Sequence, residues 1–193
     1  MKYSVNFEMN DLELWHKIRN NSEEAFKELF YRYHPLLINL AYTYLRDENT
    51  AKDLAQNVFV NIWQKRKELN IRDDCKAYLL RAMRNHCINF LKKKKNVFLD
   101  DSLQPPDLSA DGQDRLHLED LNKRVQLAIA KMPEACRMIF LLRRREDLSL
   151  KEIAKQLEIS PKTVENQLTK AHKILKDYLK PVLVAIYLLL CWL

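Results

Sequence analysis

A single glycine, Gly112, in 193 residues is the tightest constraint on how this chain folds. Sheet and hairpin folds need many turn positions at positive φ, which glycine occupies at least cost, and six prolines do not replace it. With leucine, lysine, glutamate, alanine and arginine dominating, an all-α fold is expected. The length suits two small helical domains, each burying a modest core.

The net charge of +7 favours a polyanionic partner, either nucleic acid or an anionic membrane surface. Its distribution is more telling. Residues 1–95 carry 18 Lys and Arg against 12 Asp and Glu, residues 96–118 carry 1 against 5, and residues 119–193 carry 14 against 9. Two basic blocks therefore flank an acidic bridge. Asn96 to Asp114 contains no Lys or Arg, five Asp, the pair Pro105–Pro106 and the glycine, which is linker composition. The expected division is 1–95, a flexible acidic linker at 96–117, 118–180, and a hydrophobic C-terminal tail at 181–193.

Cys75, Cys87, Cys136 and Cys191 form no CxxC, have no histidine at zinc spacing, and follow no signal peptide. A reduced, cytoplasmic protein with no metal or other cofactor is expected. A glycine-rich phosphate loop and a nucleophile elbow are both missing, so an enzyme is not expected.

Apolar residues from Ala25 through Leu29, Tyr33, Leu37 and Ala41 to Tyr44 keep a three-four step, predicting one long helix bent near Pro35. Thr50 and Asp53 read as a capping box for the next, with Ala51, Leu54, Ala55, Val58, Phe59 and Ile62 inward. After a polar loop at Asn70–Asp74, a third helix is expected over Lys76–Lys95. Its apolar stripe is Leu80, Met83, Cys87 and Leu91, and Arg81, Arg84, Asn85 and Lys92 share another face. Periodicity resumes with Leu118, Leu121, Val125, Leu127, Ala128 and Ile129, then with Cys136, Ile139 and Phe140 after Pro133.

Ser149 to Lys173 reads as a helix-turn-helix. Ser149 and Glu152 make a capping box, and Leu150, Ile153, Ala154 and Leu157 make a short buried stripe. Glu158 and Ile159 form the turn, with Glu158 expected at positive φ. Ser160 caps the second helix and Pro161 takes its first position, where a missing N–H costs nothing. Val164, Leu168, Ala171, Leu175 and Tyr178 face inward, leaving Lys162, Thr163, Glu165, Asn166, Gln167, Thr169, Lys170 and Lys173 outward. Those are groove-reading and phosphate-binding side chains near a helix N-terminus.

Residues 25–70 followed by 77–95 resemble region two of the extracytoplasmic-function sigma factors, and 132–179 resemble their region four. The wording from Pro161 to Asn166 resembles the iron-citrate-type branch of Bacteroidetes. The resemblance implies a non-catalytic subunit that binds core RNA polymerase and promoter DNA and starts transcription. It implies polymerase contacts at Asp53, Gln56, Asn57, Asn61 and Trp63, with Asn57 departing from the family's glutamate. Phe59 is read as core. It implies minus-ten recognition and strand opening by Asn70, Arg72, Asp73, Lys76, Arg81, Arg84, Asn85, Asn89 and Lys92. Minus-thirty-five reading falls to Lys162, Thr163, Glu165, Asn166, Thr169 and Lys170. Arg143 to Arg145 suit either phosphate contact or plain solubility. An anti-sigma factor, in some cases membrane-bound, is an implied partner. The competing reading is a conventional helix-turn-helix regulator binding an operator, with the first helices used for dimerisation or sensing.

Residues 181–193 carry no charge. As a helix they span roughly 20 Å, short of the roughly 30 Å hydrocarbon core. Packing on region four or against a partner helix is expected ahead of contact with a membrane surface.

Overall fold

The computed structural model describes residues 9–71, 74–94 and 118–192, with side chains for all of these except 118–120 and 181–192. Arg72, Asp73, Lys95 and the acidic linker at 96–117 lie outside the described residues. Among the described residues every regular element is a helix: α1 (Asp11–Arg19), α2 (Glu23–Leu45), α3 (Glu48–Gln64), α4 (Cys75–Lys93), α5 (Leu118–Lys131), α6 (Glu134–Arg145), α7 (Leu150–Leu157) and α8 (Pro161–Trp192). They form two compact units, residues 1–90 and 91–193.

The scarcity of glycine shows in the backbone. Asn21, Arg46, Asp147 and Glu158 all take the left-handed conformation at or near helix ends. A residue with a Cβ pays about 1–2 kcal/mol there, which the packing of the helices on either side must offset.

In the first unit α2 runs unbroken through Pro35, and α1 packs against it. Asp11 joins them, accepting from the Arg32 guanidinium and the Tyr33 hydroxyl, while the Cys75 thiol donates to the Asp11 carbonyl at 3.4 Å. Leu14, Ile18, Leu29, Leu37, Tyr44, Phe59, Leu79 and Met83 fill the core. Phe59 is buried, with Phe30 tilted against it at 4.8 Å. The capping box expected at Thr50 does not form. Asp47 caps α3 instead, accepting the Thr50 N–H at 3.1 Å and the Thr50 hydroxyl at 2.9 Å, so the helix begins three residues earlier. Asp74 likewise opens α4 by accepting the Ala77 N–H at 3.0 Å, so the helix begins at Cys75, one residue before the expected Lys76. The buried stripe of α4 is Cys75, Leu79, Met83 and Cys87, and Leu80 is only half-buried.

In the second unit α5, α6 and α7 all pack on α8. Residues Ala135 to Leu142 of α6 are buried without a break, so this helix is the centre of the unit. Arg137 is among them, only 4 % exposed. Its guanidinium donates to the carbonyls of Ala130 at 3.2 Å and Met132 at 2.8 Å, satisfying the orphan acceptors at the end of α5. Removing it strands those carbonyls in the core. Arg137→Met is expected to destabilise this unit by about 2–3 kcal/mol, read as a lowered urea midpoint with an unchanged slope. Leu127, expected inward, is 54 % exposed, and Ile174 is buried where Leu175 was expected.

Candidate nucleic-acid and partner interfaces

The helix-turn-helix is α7 and the first turns of α8. Ser149 Oγ accepts the Glu152 N–H at 3.3 Å, and the Glu152 carboxylate accepts the Ser149 N–H at 2.8 Å. These bonds hold the Glu152 carboxyl below its ordinary range, so the contribution of this cap is fully present above that range and is lost as pH falls below it through the lowered value. Ile153, Ala154 and Leu157 are buried, whereas Leu150 at 38 % is exposed because it sits on the outer side of the first turn. Glu158 adopts φ 57° and ψ 41°, and both its N–H and that of Ile159 reach the Ala154 carbonyl. That left-handed residue turns the chain at the motif's corner. Ser160 Oγ then accepts the Thr163 N–H at 3.0 Å, with Pro161 opening the helix.

Val164, Leu168 and Ala171 anchor α8, and Lys162, Glu165, Asn166, Thr169 and Lys173 stand exposed. Gln167, expected outward, is 4 % exposed. It lies three residues after Val164 and four before Ala171, on the buried face, and the Cys136 thiol donates to its carbonyl at 3.4 Å. Several of the side chains expected to read DNA have local partners. Lys162 pairs with Glu165 at 2.9 Å, Thr163 shares a hydroxyl contact with Ser160, and Thr169 Oγ1 donates back to the Glu165 carbonyl at 3.0 Å. The Asn166 side chain is exposed and makes no hydrogen bond among the described residues. Arg143 is exposed but donates to the Leu148 carbonyl at 2.8 Å, bracing the loop between α6 and α7. Arg144 and Arg145 lie exposed beside it.

In the first unit Arg81, Asn85 and Asn89 are exposed at successive turns of α4, and Lys92, on the same helix but within the second unit, is half-buried. Arg84 does not share their exposure. It is half-buried, and desolvation, then the field of Arg81, lowers its affinity for a proton while Tyr44 works the other way. Lys76 and Asn70 are exposed at the helix entry, and Arg72 and Asp73 lie outside the described residues.

On α3, Asp53, Gln56, Asn57 and Asn61 are exposed along one stripe. Trp63 is half-buried, with its ring 4.9 Å from that of Phe26 and the Arg66 guanidinium over it at 4.2 Å. Periodicity missed Val60. It is 50 % exposed between Gln56, Asn57, Asn61 and Gln64, an apolar residue centred in a polar face. The signal was available as an apolar residue out of register with Ala55, Val58, Phe59 and Ile62.

Burial raises the thiols of Cys75 to about 11 and of Cys87 and Cys136 to about 12, so all three stay protonated at neutral pH. No group of three histidine, cysteine or acidic side chains suited to a metal occurs among the described residues.

Residues 29–97 match the family model Sigma-70 region 2, and residues 122–175 match Sigma-70, region 4, together more than half of the chain. The chain is 25 % identical to the ECF RNA polymerase sigma factor SigW of Bacillus subtilis, with 85 % of this chain and 94 % of that protein covered. It is 26 % identical to the ECF RNA polymerase sigma factor RpoE of Cereibacter sphaeroides, with 86 % and 93 % covered. A solved structure of CnrH in complex with the cytosolic domain of CnrY aligns at TM-score 0.46 and 20 % identity, covering 89 % of this chain and 97 % of that one.

Proposed function

Because this chain belongs to the sigma-70 family and is an alternative sigma factor of the extracytoplasmic-function group, we propose a division of its promoter work among three surfaces. The α3 stripe of Asp53, Gln56, Asn57, Val60, Asn61 and, at its edge, Trp63 docks on core RNA polymerase. The α4 face of Arg81, Asn85, Asn89 and Lys92, with Asn70, Lys76 and the Arg72–Asp73 segment at its entry, holds the opened minus-ten strand. Lys162, Thr163, Glu165, Asn166, Thr169 and Lys170 at the start of α8 read the minus-thirty-five element. The protein is a non-catalytic initiation subunit acting in the cytoplasm, held in reserve by an anti-sigma factor that covers one of these faces. The domain limits follow the same reading, 1–95 and 118–180 on either side of the linker at 96–117. Placement in the iron-citrate-type branch rests on the Pro161–Asn166 wording alone.

The observation that carries this reading is the separation of chemistry between two neighbouring helices. The α3 surface is polar with one apolar centre and little net charge, as a protein interface core needs. The α4 surface is basic and amide-bearing, as a strand of phosphates and bases needs. An operator-binding regulator has no use for both together. Arg84 is assigned a supporting role, since its side chain is half-buried whereas Arg81 is exposed.

Arg81→Ala with Asn89→Ala tests the assignment. Holoenzyme assembly on gel filtration is expected to be unchanged, while permanganate reactivity of the opened minus-ten thymines falls by on the order of tenfold and declines more steeply with salt. Loss of assembly instead would show that the two faces are assigned the wrong way round.

A further inference from the structure

Two opposite charges stand together at the start of α8. Lys162 and Glu165, one turn apart, hold each other at 2.9 Å, with side chains 73 % and 56 % exposed. In open water such a pair contributes little to stability, so folding does not explain its place on the helix. On a surface that faces DNA a carboxylate is also a cost, because it only accepts hydrogen bonds and is repelled by phosphate. It is tolerated where it meets a donor, and the major groove offers two, the amino groups of cytosine and adenine. The neighbouring hydroxyls are already engaged, Thr163 with Ser160 and Thr169 with the Glu165 carbonyl.

The partner of that carboxylate selects between the two. An ammonium and a carboxylate side by side present donors next to an acceptor. In a G·C pair the cytosine amino group lies beside guanine O6 at a hydrogen-bond length of about 2.9 Å, with guanine N7 as a second acceptor beyond it. The Lys162 ammonium then has O6 and N7 together, while the Glu165 carboxylate accepts the amino hydrogen not used in base pairing. Over an A·T pair the adenine amino group separates the two acceptors, so one ammonium cannot take both, and the thymine methyl crowds the carboxylate. With the G·C pair reversed, the ammonium meets the amino group and the carboxylate meets the guanine acceptors. On the reading that the start of α8 enters the minus-thirty-five groove, we propose that Lys162 and Glu165 act as one unit reading a single G·C base pair, Lys162 on the guanine and Glu165 on the cytosine. Glu165 is thereby a selectivity residue, which favours one base pair and penalises the others.

The test is selection of bound DNA from a pool of randomised promoter-length duplexes by holoenzyme assembled from core polymerase and the full chain, followed by affinities for single-base variants of the selected site. One G·C position in the minus-thirty-five element is expected to depend on both residues. Glu165→Gln should shrink the preference at that position by roughly tenfold, mainly by tightening the mismatched sites. Lys162→Met should shrink it by a similar factor, by weakening the G·C site. The double variant should lose no more than either single one, since the two act as a unit. Asn166→Ala should act at a different position. Both side chains are exposed, so far-UV circular dichroism of the variants is expected to match that of the unaltered chain. If Glu165→Gln and Lys162→Met change selectivity at two separate positions, at an A·T pair, or nowhere while Asn166→Ala still changes one, the proposal is overturned and the entry of α8 into the groove stands. If none of the three changes the selectivity of a protein that is itself selective, the groove assignment falls and the proposal falls with it.

Discussion

Val60→Asp is expected to abolish assembly with core RNA polymerase while leaving the protein's own melting curve unchanged. Val60 is half-exposed in the free chain, so its replacement opens no cavity and buries no new charge there. At an interface the situation reverses. An apolar residue ringed by Gln56, Asn57, Asn61 and Gln64 is the arrangement in which a central anchor is shielded from water by its neighbours. An aspartate at that point has to be desolvated without a partner, and the expected loss is about 3 kcal/mol or more, roughly a hundredfold in affinity. Asn57→Ala, on the rim, should cost far less. Competition for core polymerase against a labelled sigma factor measures both.

The second large effect is expected at Asn166. Its amide has no partner among the described residues and projects from the second turn of α8, where recognition helices meet base edges. Asn166→Ala should weaken binding to the cognate minus-thirty-five element by about 1–3 kcal/mol and relax selectivity at one base pair. Lys170→Ala should weaken all sequences alike and reduce the salt slope by about one. Thr169 is expected to matter less, since its hydroxyl already donates to the Glu165 carbonyl. Fluorescence anisotropy over single-base variants of the minus-thirty-five element at two salt concentrations separates the two behaviours.

The local chemistry of the helix-turn-helix was fully legible. The Ser149–Glu152 box, the left-handed Glu158, the Ser160 cap and Pro161 at the first position all stand as read, because each depends only on residues within four positions. Positions decided by distant neighbours were less so. Gln167 is polar yet lies on the buried side, and Leu79 rather than Leu80 is buried, since a one-residue difference in helix rotation is set by the packed neighbours. Arg137 is the extreme case. Nothing in a basic side chain announces burial until the end of α5 is seen to need its donors. The opening helix α1 was readable from Asn10 with Glu13 and from Leu14, Trp15 and Ile18, but a periodicity argument begun at Ala25 passes over it. In the sites, the polar faces were legible by elimination of apolar stripes, and Val60 was not, because elimination discards every apolar residue.

The division of labour between α3 and α4 can be put to one direct measurement: run-off transcription by core polymerase and this protein on a promoter whose minus-ten region is either duplex or held open by mismatches. If the α4 face drives strand opening, the Arg81→Ala, Asn89→Ala variant fails on the duplex and recovers most of its output on the pre-opened template. Val60→Asp should fail on both, because an open template does not restore docking. Equal rescue of the two variants, or rescue of neither, would contradict the account.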